Sequence, residues 1–316
     1  MSGEVGMTRT LATVLLGVFI ALGTVCSACG GETAGTPIPT AMPSLSPTPN
    51  IPTPAPSVSS IPILIGYVTY DGKQYACYNE SAVLSDLLKS SAPFRSFYNA
   101  KRASMPAQIL WVQDQYHVLP FNVPAMTDPA NNITMLKNMP ATIDDSFIIA
   151  HELCTYLQQA EGFRGPEATD LAKGTGNESI ANSIASSLST MVSTSVRDNM
   201  LKPYFDLTKA YNIYLDGFLT EPAWPHATLP DKVSWMSFYV QMMLYWNDVL
   251  GYKFTGQFEK SYDQKYADIL DDSNKMLNVV KTNRYDTPEE WATLFRKIIK
   301  EFDLGAWIKY EGNTTT

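Results

Sequence analysis

The chain has 316 residues, of which 45% are hydrophobic and 17% are charged, and its formal net charge is −8. The apolar fraction is sufficient for a packed core and excludes a wholly disordered chain. The acidic balance argues against a nucleic-acid partner, which would require clusters of lysine and arginine.

The N-terminal segment has the features of an export signal. Arg9 precedes an apolar run from Leu11 to Val25, and small residues follow it. At a rise of about 1.5 Å per residue, this run is too short to cross a hydrocarbon core comfortably. A positive charge, a short apolar run and small residues before a cleavage point are typical of a signal peptide.

The pair Ser27-Ala28 directly before Cys29 resembles a bacterial lipobox, although Cys26 stands where Leu or a similar residue is expected. The resemblance implies a signal peptide over residues 1–28 and lipidation of Cys29 as the first mature residue. Several acyl chains would hold the protein stably at the membrane, whereas one chain alone is marginal. We therefore expect an extracytoplasmic, membrane-anchored lipoprotein. An ordinary cleaved signal and an uncleaved anchor are the alternatives.

Residues 29–60 form a tether between the lipidated cysteine and the folded part. Prolines alternate there with Thr, Ser and Ala, and apolar residues are too sparse for a core. Such a composition favours extended polyproline-like conformations and acts as a semi-rigid spacer. At about 3.1 Å per residue, the segment is long enough to hold a domain several nanometres from a membrane.

Residues 61–316 are predicted to form a single extracytoplasmic domain that opens with a small antiparallel sheet. Asp71-Gly72 predicts a hairpin turn between two β-rich runs. Strands are expected at 63–70, 74–78, 107–112 and 116–119, and helices at 81–89 and 94–101.

From Thr142 onward the pattern is helical. Thr142 and Asp145 form a capping signature, and Thr287-Pro288-Glu289-Glu290 forms a second one before an apolar stripe. Between them, helices are predicted at 178–201, 202–218 and 233–250. A small sheet followed by a mainly helical body is an α+β fold.

The helix after Thr142 carries the sequence Ile149-Ala150-His151-Glu152-Leu153-Cys154-Thr155. In an HExxH zinc peptidase, two histidines one turn apart bind the metal and the glutamate is the general base. His151 and Glu152 occupy the first two positions. Thr155 replaces the second histidine, and a neutral hydroxyl is a poor zinc ligand. Without rescue by another residue, the helix lacks the ligand set of an active site.

Gly176-Asn177-Glu178 resembles the segment that supplies the glutamate ligand in thermolysin-like zincins. Residues 133–216 are also similar to a group of bacterial extracellular zincin-like lipoproteins of unassigned substrate. That similarity rests on the Ile-Ala-His-Glu-Leu helix, the Glu161-Gly162-Phe163 turn and the helix from Ala181. It implies a degenerate zincin-like domain in which Glu178 would be the distant metal ligand.

The sequence leaves open whether Cys154 or another histidine completes a metal site and whether the two cysteines of the domain form a disulfide. Cys154 lies three residues after His151, so it shares roughly one helix face, and a His-Cys-Glu set is reasonable chemistry for zinc. His117 or His226 would have to approach from elsewhere in the fold. Cys77 and Cys154 either form a disulfide, which an oxidising compartment permits, or remain buried thiols.

Three functions compete. The first is an inactive, surface-anchored zincin-like lipoprotein that binds a protein, peptide or envelope component. The second is an atypical zinc hydrolase in which His151 and Glu178 hold the metal and Glu152 is the base. The third is a solute-binding lipoprotein, although two-lobed binders have a repeated strand-helix alternation that this pattern lacks.

Overall fold

The computed structural model describes residues 62–119, 124–250 and 256–311. The predicted signal peptide, Cys29 and the tether lie outside these residues. Within the described ranges, no helix is both long enough and apolar enough to cross a membrane.

The N-terminal part is a five-stranded sheet in the order β1-β2-β3-β5-β4. Its strands are β1 Leu64–Tyr70, β2 Lys73–Tyr78, β3 Leu110–Gln113, β4 Ala125–Asp128 and β5 Ile133–Leu136. Three of the four strand pairs are antiparallel, and β3 and β5 pair in parallel. Together with the helical body, this sheet confirms the α+β class.

The predicted hairpin between β1 and β2 is confirmed. Asp71 and Gly72 have φ values of 48° and 69°, and two successive positive values are the signature of a type I′ turn. Tyr70 pairs with Lys73 across this turn. The tight turn therefore fixes the register from Gly66 to Tyr70, and an irregularity shifts it by one residue between Leu64 and Gly66.

The strand predicted at 116–119 is wrong, because this segment is a loop. The carboxylate of buried Asp114 accepts the backbone N–H groups of Val118 and Leu119, both at 2.8 Å. His117 also has a φ of 52°, a left-handed value that interrupts an extended strand. The side-chain acceptor takes the place of a strand partner.

Eleven α-helices are present in the described ranges. They are α1 Glu80–Val83, α2 Ser85–Ser90, α3 Ala92–Lys101, α4 Ser146–Ala160, α5 Asp170–Gly174, α6 Glu178–Leu201, α7 Leu207–Thr220, α8 Leu229–Leu244, α9 Gln257–Tyr266, α10 Leu270–Lys281 and α11 Pro288–Glu301. A two-stranded sheet of β6 Glu167–Ala168 and β7 Ile308–Lys309 joins the C-terminal end to the middle of the chain.

Caps explain why two helix boundaries differ from the prediction. Helix α7 begins at Leu207 rather than at 202, because Asp206 caps it by accepting the N–H of Thr208. Helix α8 begins at Leu229 rather than at 233, because Thr228 caps it. Its end is extended by a π-helical turn, Tyr245–Val249.

Helices α6 and α8 run in parallel through the centre of the body. The Oγ atoms of Ser187 and Ser234 lie 2.7 Å apart, and the Lys202 Nζ donates to the Val249 carbonyl at 2.5 Å. Both pairs are 47 residues apart in the chain, as expected for two parallel helices in register. The α7 segment is the crossover between them.

Two apolar cores flank the sheet. The larger core contains the buried faces of the central helices and one side of the sheet, while the smaller one lies among β2, β3 and β5 around Tyr75, Cys77 and Val112. The larger core fixes the position of helix α4, which carries the zincin-like sequence.

Candidate functional site

A 3₁₀ turn, Ile143–Asp145, leads into helix α4, and the predicted capping signature lies at the start of that turn. Thr142 and Asp145 form a complete capping box, in which the side chain of each accepts the backbone N–H of the other. Ile149 and Leu153 are then fully buried against the body, so the rotation of the helix is fixed. That rotation leaves the His151 side chain only 12% exposed, directed toward helix α6.

Both ring nitrogens of His151 face partners on helix α6. The Nδ1 atom lies 3.0 Å from the Asp198 Oδ1, and the Nε2 atom lies 3.5 Å from the Arg197 Nη1. A carboxylate only accepts hydrogen bonds and a guanidinium only donates them. The arrangement therefore fits the neutral Nδ1–H tautomer, with the Nε2 lone pair directed to Arg197.

Arg197 extends this contact along helix α4. Its Nε donates to the Gln158 Oε1 at 2.6 Å, and the Gln158 Nε2 donates to the Ser193 carbonyl at 3.2 Å. Because His151 and Gln158 are two helical turns apart, they lie on one face of α4. The two helices are thus joined by a continuous polar network.

Asp198 is the buried charge of this network, with a side chain that is 1% exposed. A buried carboxylate is costly unless hydrogen-bond donors and a countercharge surround it. The His151 N–H supplies one such donor, and it crosses from helix α4 to helix α6. The histidine therefore contributes to the stabilisation of Asp198 inside the protein.

Glu178 lies far from this network. It is the exposed first residue of helix α6, whereas Asp198 is near the C-terminal end of the same helix. Their separation of 20 positions corresponds to about 30 Å at about 1.5 Å per residue. The structure does not bring Glu178 to His151, and a zinc ion with bonds of about 2 Å does not reach both.

The neighbours of His151 in helix α4 do not form a set of metal ligands with it in the described structure. Glu152 is half-buried, one step around the helix from His151. Thr155 has a buried hydroxyl with no hydrogen-bond partner. Cys154 is fully buried in the larger core, where desolvation raises the pKa of its thiol.

Neither of the other histidines approaches His151. His117 is exposed in the loop after β3. His226 binds the Trp224 carbonyl through Nδ1 at 3.1 Å and the Asp268 Oδ1 through Nε2 at 2.8 Å. Both partners of His226 are acceptors, so the two bonds exist together only in the imidazolium form. In the ranges that the structure covers, no three His, Cys, Asp or Glu side chains are grouped closely enough to hold a metal.

The two cysteines of the domain are free thiols. Cys77 belongs to the smaller core and Cys154 to the larger one. Burial raises the pKa of the Cys77 thiol as well. Of the two states that the sequence leaves open, the structure shows the unpaired one.

A surface cleft lies on another face of helix α6. Val196, Asn199 and Met200 share that face through their spacing of three and four residues, and the loop Asn283–Asp286 forms the opposite wall. The cleft is a shallow, open depression of about 610 Å³. Arg284 at its rim is 76% exposed and contacts Asp286 at 3.1 Å.

Sequence reasoning missed Asp198, Arg197 and Gln158. A signal for the first two was present, because the 24-residue helix α6 contains only three charged residues, Glu178 and the adjacent Arg197-Asp198 pair. A charge pair near the end of an otherwise uncharged helix indicates either a solvated end or a buried ion pair.

Comparison with protein-family models, with curated proteins and with solved structures finds no match to this chain.

Proposed function

We propose that this protein is a lipid-anchored extracytoplasmic lipoprotein whose degenerate zincin-like domain acts by binding a peptide, protein or envelope component. The observation that carries the non-catalytic part is the engagement of both His151 nitrogens by Asp198 and Arg197. A histidine whose Nε2 faces a guanidinium presents no free lone pair to a metal. The distance from Glu178 supports the same conclusion.

The anchoring part rests on the order of signal peptide, Cys29 and proline-rich tether. Metabolic labelling with a radioactive fatty acid tests it in the full chain. Wild type should incorporate label, and Cys29→Ala should remain an unlabelled precursor, while Cys26→Ala should still be labelled. Equal labelling of wild type and Cys29→Ala would contradict the anchor at this position.

Metal analysis of the purified protein tests the non-catalytic part. We expect substoichiometric zinc and no change of the melting temperature on adding a chelator. Stoichiometric zinc that disappears in His151→Ala would favour the competing hydrolase, with Glu152 as its base. Asp268→Ala is a suitable control, because it removes the partner of a different histidine.

The cleft between helix α6 and residues 283–286 supports the binding role. Cosedimentation with isolated envelope fragments measures it, with the chain produced from residue 61 onward, which lacks both the lipid and the apolar signal segment. Asn199→Trp should obstruct the cleft and reduce the bound fraction, whereas Asn182→Trp, also at an exposed position of α6, should not. Equal binding by both variants would exclude the cleft as the ligand site.

A further inference from the structure

The exposed apolar side chains of the domain are concentrated at its first strand. Among the described residues, ten large hydrophobic side chains are exposed. Four of them fall within five positions, and these form the apolar patch: Ile63 (62% exposed), Leu64 (48%), Ile65 (52%) and Tyr67 (63%). Scattered single exposed apolar residues are normal on a protein surface, but a contiguous group indicates an interaction site.

The patch lies on an unpaired sheet edge. β1 is the first strand in the sheet order, and no described strand pairs with its outer side. In the hairpin, Tyr70 and Lys73 close the two-residue turn, so the backbone groups of alternate residues point in opposite directions. The N–H and C=O groups of Tyr67 and Thr69 therefore point away from β2.

The patch is also free of charge. Residues 62–70 contain no Asp, Glu, Lys or Arg, in a chain whose net charge is −8. Because successive side chains of a strand point to opposite faces, the four side chains lie on both sides of the β1 edge. Placing this edge against a lipid surface would bury no charged side chain of residues 62–70, and burial of charge is the costly step of membrane contact. Tyr67 adds an aromatic ring with a polar tip, the type of side chain enriched at membrane–water interfaces.

The position of the tether identifies the partner. The proline-rich segment ends at residue 60, and the patch begins three residues later at Ile63. The chain therefore enters the domain beside its most exposed apolar group. If Cys29 is lipidated, the patch is the part of the domain that lies nearest to the anchor along the chain.

We propose that the apolar patch docks onto the lipid surface to which the chain is anchored. The inference rests on the proposed anchoring through Cys29. Anchoring turns docking into an intramolecular event, so that weak contacts by four side chains become effective. The outward backbone groups of Tyr67 and Thr69 require water or headgroups, because unpaired backbone is costly in hydrocarbon. The docked strand consequently lies at headgroup depth.

Fluorescence quenching in the full lipidated chain tests this docking. A fluorophore is attached to Thr69→Cys, an exposed position beside Tyr67, or to Asn182→Cys at the start of helix α6. The native cysteines Cys77 and Cys154 are buried and leave the added thiol as the reactive one. The protein is reconstituted into phosphatidylcholine vesicles that contain a headgroup spin-labelled phosphatidylcholine.

We expect the label at 69 to be quenched at least twofold more than the label at 182. Adding Ile65→Asp and Tyr67→Asp should abolish this difference, and adding Leu171→Asp, at an apolar position that is also 63% exposed, should not. A chain that pellets with vesicles but shows equal quenching at both positions overturns docking and leaves the anchor intact. A label at 69 shielded by a second copy of the chain, without quenching by lipid, overturns it as well. A chain that does not pellet overturns both proposals.

Discussion

The Nδ1 of His151 lies 3.0 Å from the Oδ1 of Asp198 and joins helix α4 to the C-terminal half of helix α6. The carboxylate is almost completely buried, and this bond is one of the interactions that stabilise it there. His151, which the sequence predicts as a metal ligand, is directed to a buried acid of helix α6.

His151→Ala should therefore destabilise the fold. Removing a hydrogen bond to a buried charged group costs about 1.5–3 kcal/mol, and urea denaturation should show a loss of this size in the free energy of unfolding. His226→Ala is the matched control, because its partner Asp268 is 60% exposed. An exposed pair contributes less, so a loss as large as that of His151→Ala would contradict the structural role.

Restoring the missing histidine of the pentad should not restore a metal site. In Thr155→His, the Nε2 of His151 still faces Arg197, and Glu178 is still at the distant end of helix α6. We expect the purified variant to contain no more zinc than wild type. Stoichiometric zinc in a variant with unchanged circular dichroism would show that His151 turns readily from Asp198 to a metal.

The local elements of the site could be predicted from the sequence, but its long-range contacts could not. The Thr142 capping box, helix α6 from 178 to 201 and the hairpin turn at Asp71-Gly72 are all confirmed. Each of them depends on residues within a few positions of one another. The bond from His151 to Asp198 spans 47 positions, and no spacing rule connects two separate helices.

The same limit applies to the sheet. Strand β5, Ile133–Leu136, is a fully buried run of four residues and has no alternating pattern to identify it. β5 pairs in parallel with β3, which comes more than 20 positions earlier in the chain. No local spacing rule predicts that pairing. Residues 116–119 form a loop instead of the predicted strand for a local reason. The Asp114 carboxylate accepts the backbone N–H groups of Val118 and Leu119, which a strand would donate to a neighbouring strand.

Thiol titration should find two reactive groups, and only after unfolding. Cys77 and Cys154 are buried, and burial raises the pKa of both, which keeps them as unreactive thiols near neutral pH. With the proposed processing at Cys29, that thiol is blocked by lipid and Cys26 is removed with the signal peptide. Ellman's reagent should therefore detect none in the native chain and two in guanidinium without reductant. None after unfolding would indicate a disulfide, and four would indicate an unprocessed chain.

The Asp268 contact predicts an acid-sensitive contribution to stability. The hydrogen bond from His226 holds the pKa of the Asp268 carboxyl below its ordinary value of 3.8. A lowered folded-state pKa gives stabilisation that is present above the unfolded value and is lost as the pH falls through the folded one. Asp268→Asn should thus be less stable than wild type at pH 5, and the difference should vanish in stronger acid. Because the carboxylate is exposed, the difference is small, and a difference independent of pH would contradict the assignment.

The cap of helix α11 offers a test of a feature visible in both sequence and structure. The Thr287 Oγ1 accepts the N–H of Glu290 at 3.2 Å, and the Glu290 carboxylate accepts the N–H of Thr287 at the same distance. The helix that follows buries Trp291, whose indole N–H donates to the Arg164 carbonyl at 2.5 Å. The cap therefore fixes the start of a helix that is bonded to the turn after α4.

Thr287→Ala should reduce the free energy of unfolding by about 1 kcal/mol, the usual cost of losing a threonine cap. Thr287→Ser keeps the accepting oxygen and should stay within a few tenths of a kcal/mol of wild type. Urea denaturation followed by tryptophan fluorescence measures both variants. Equal losses in the two variants would show that the methyl group of Thr287, rather than its hydroxyl, stabilises this end of the helix.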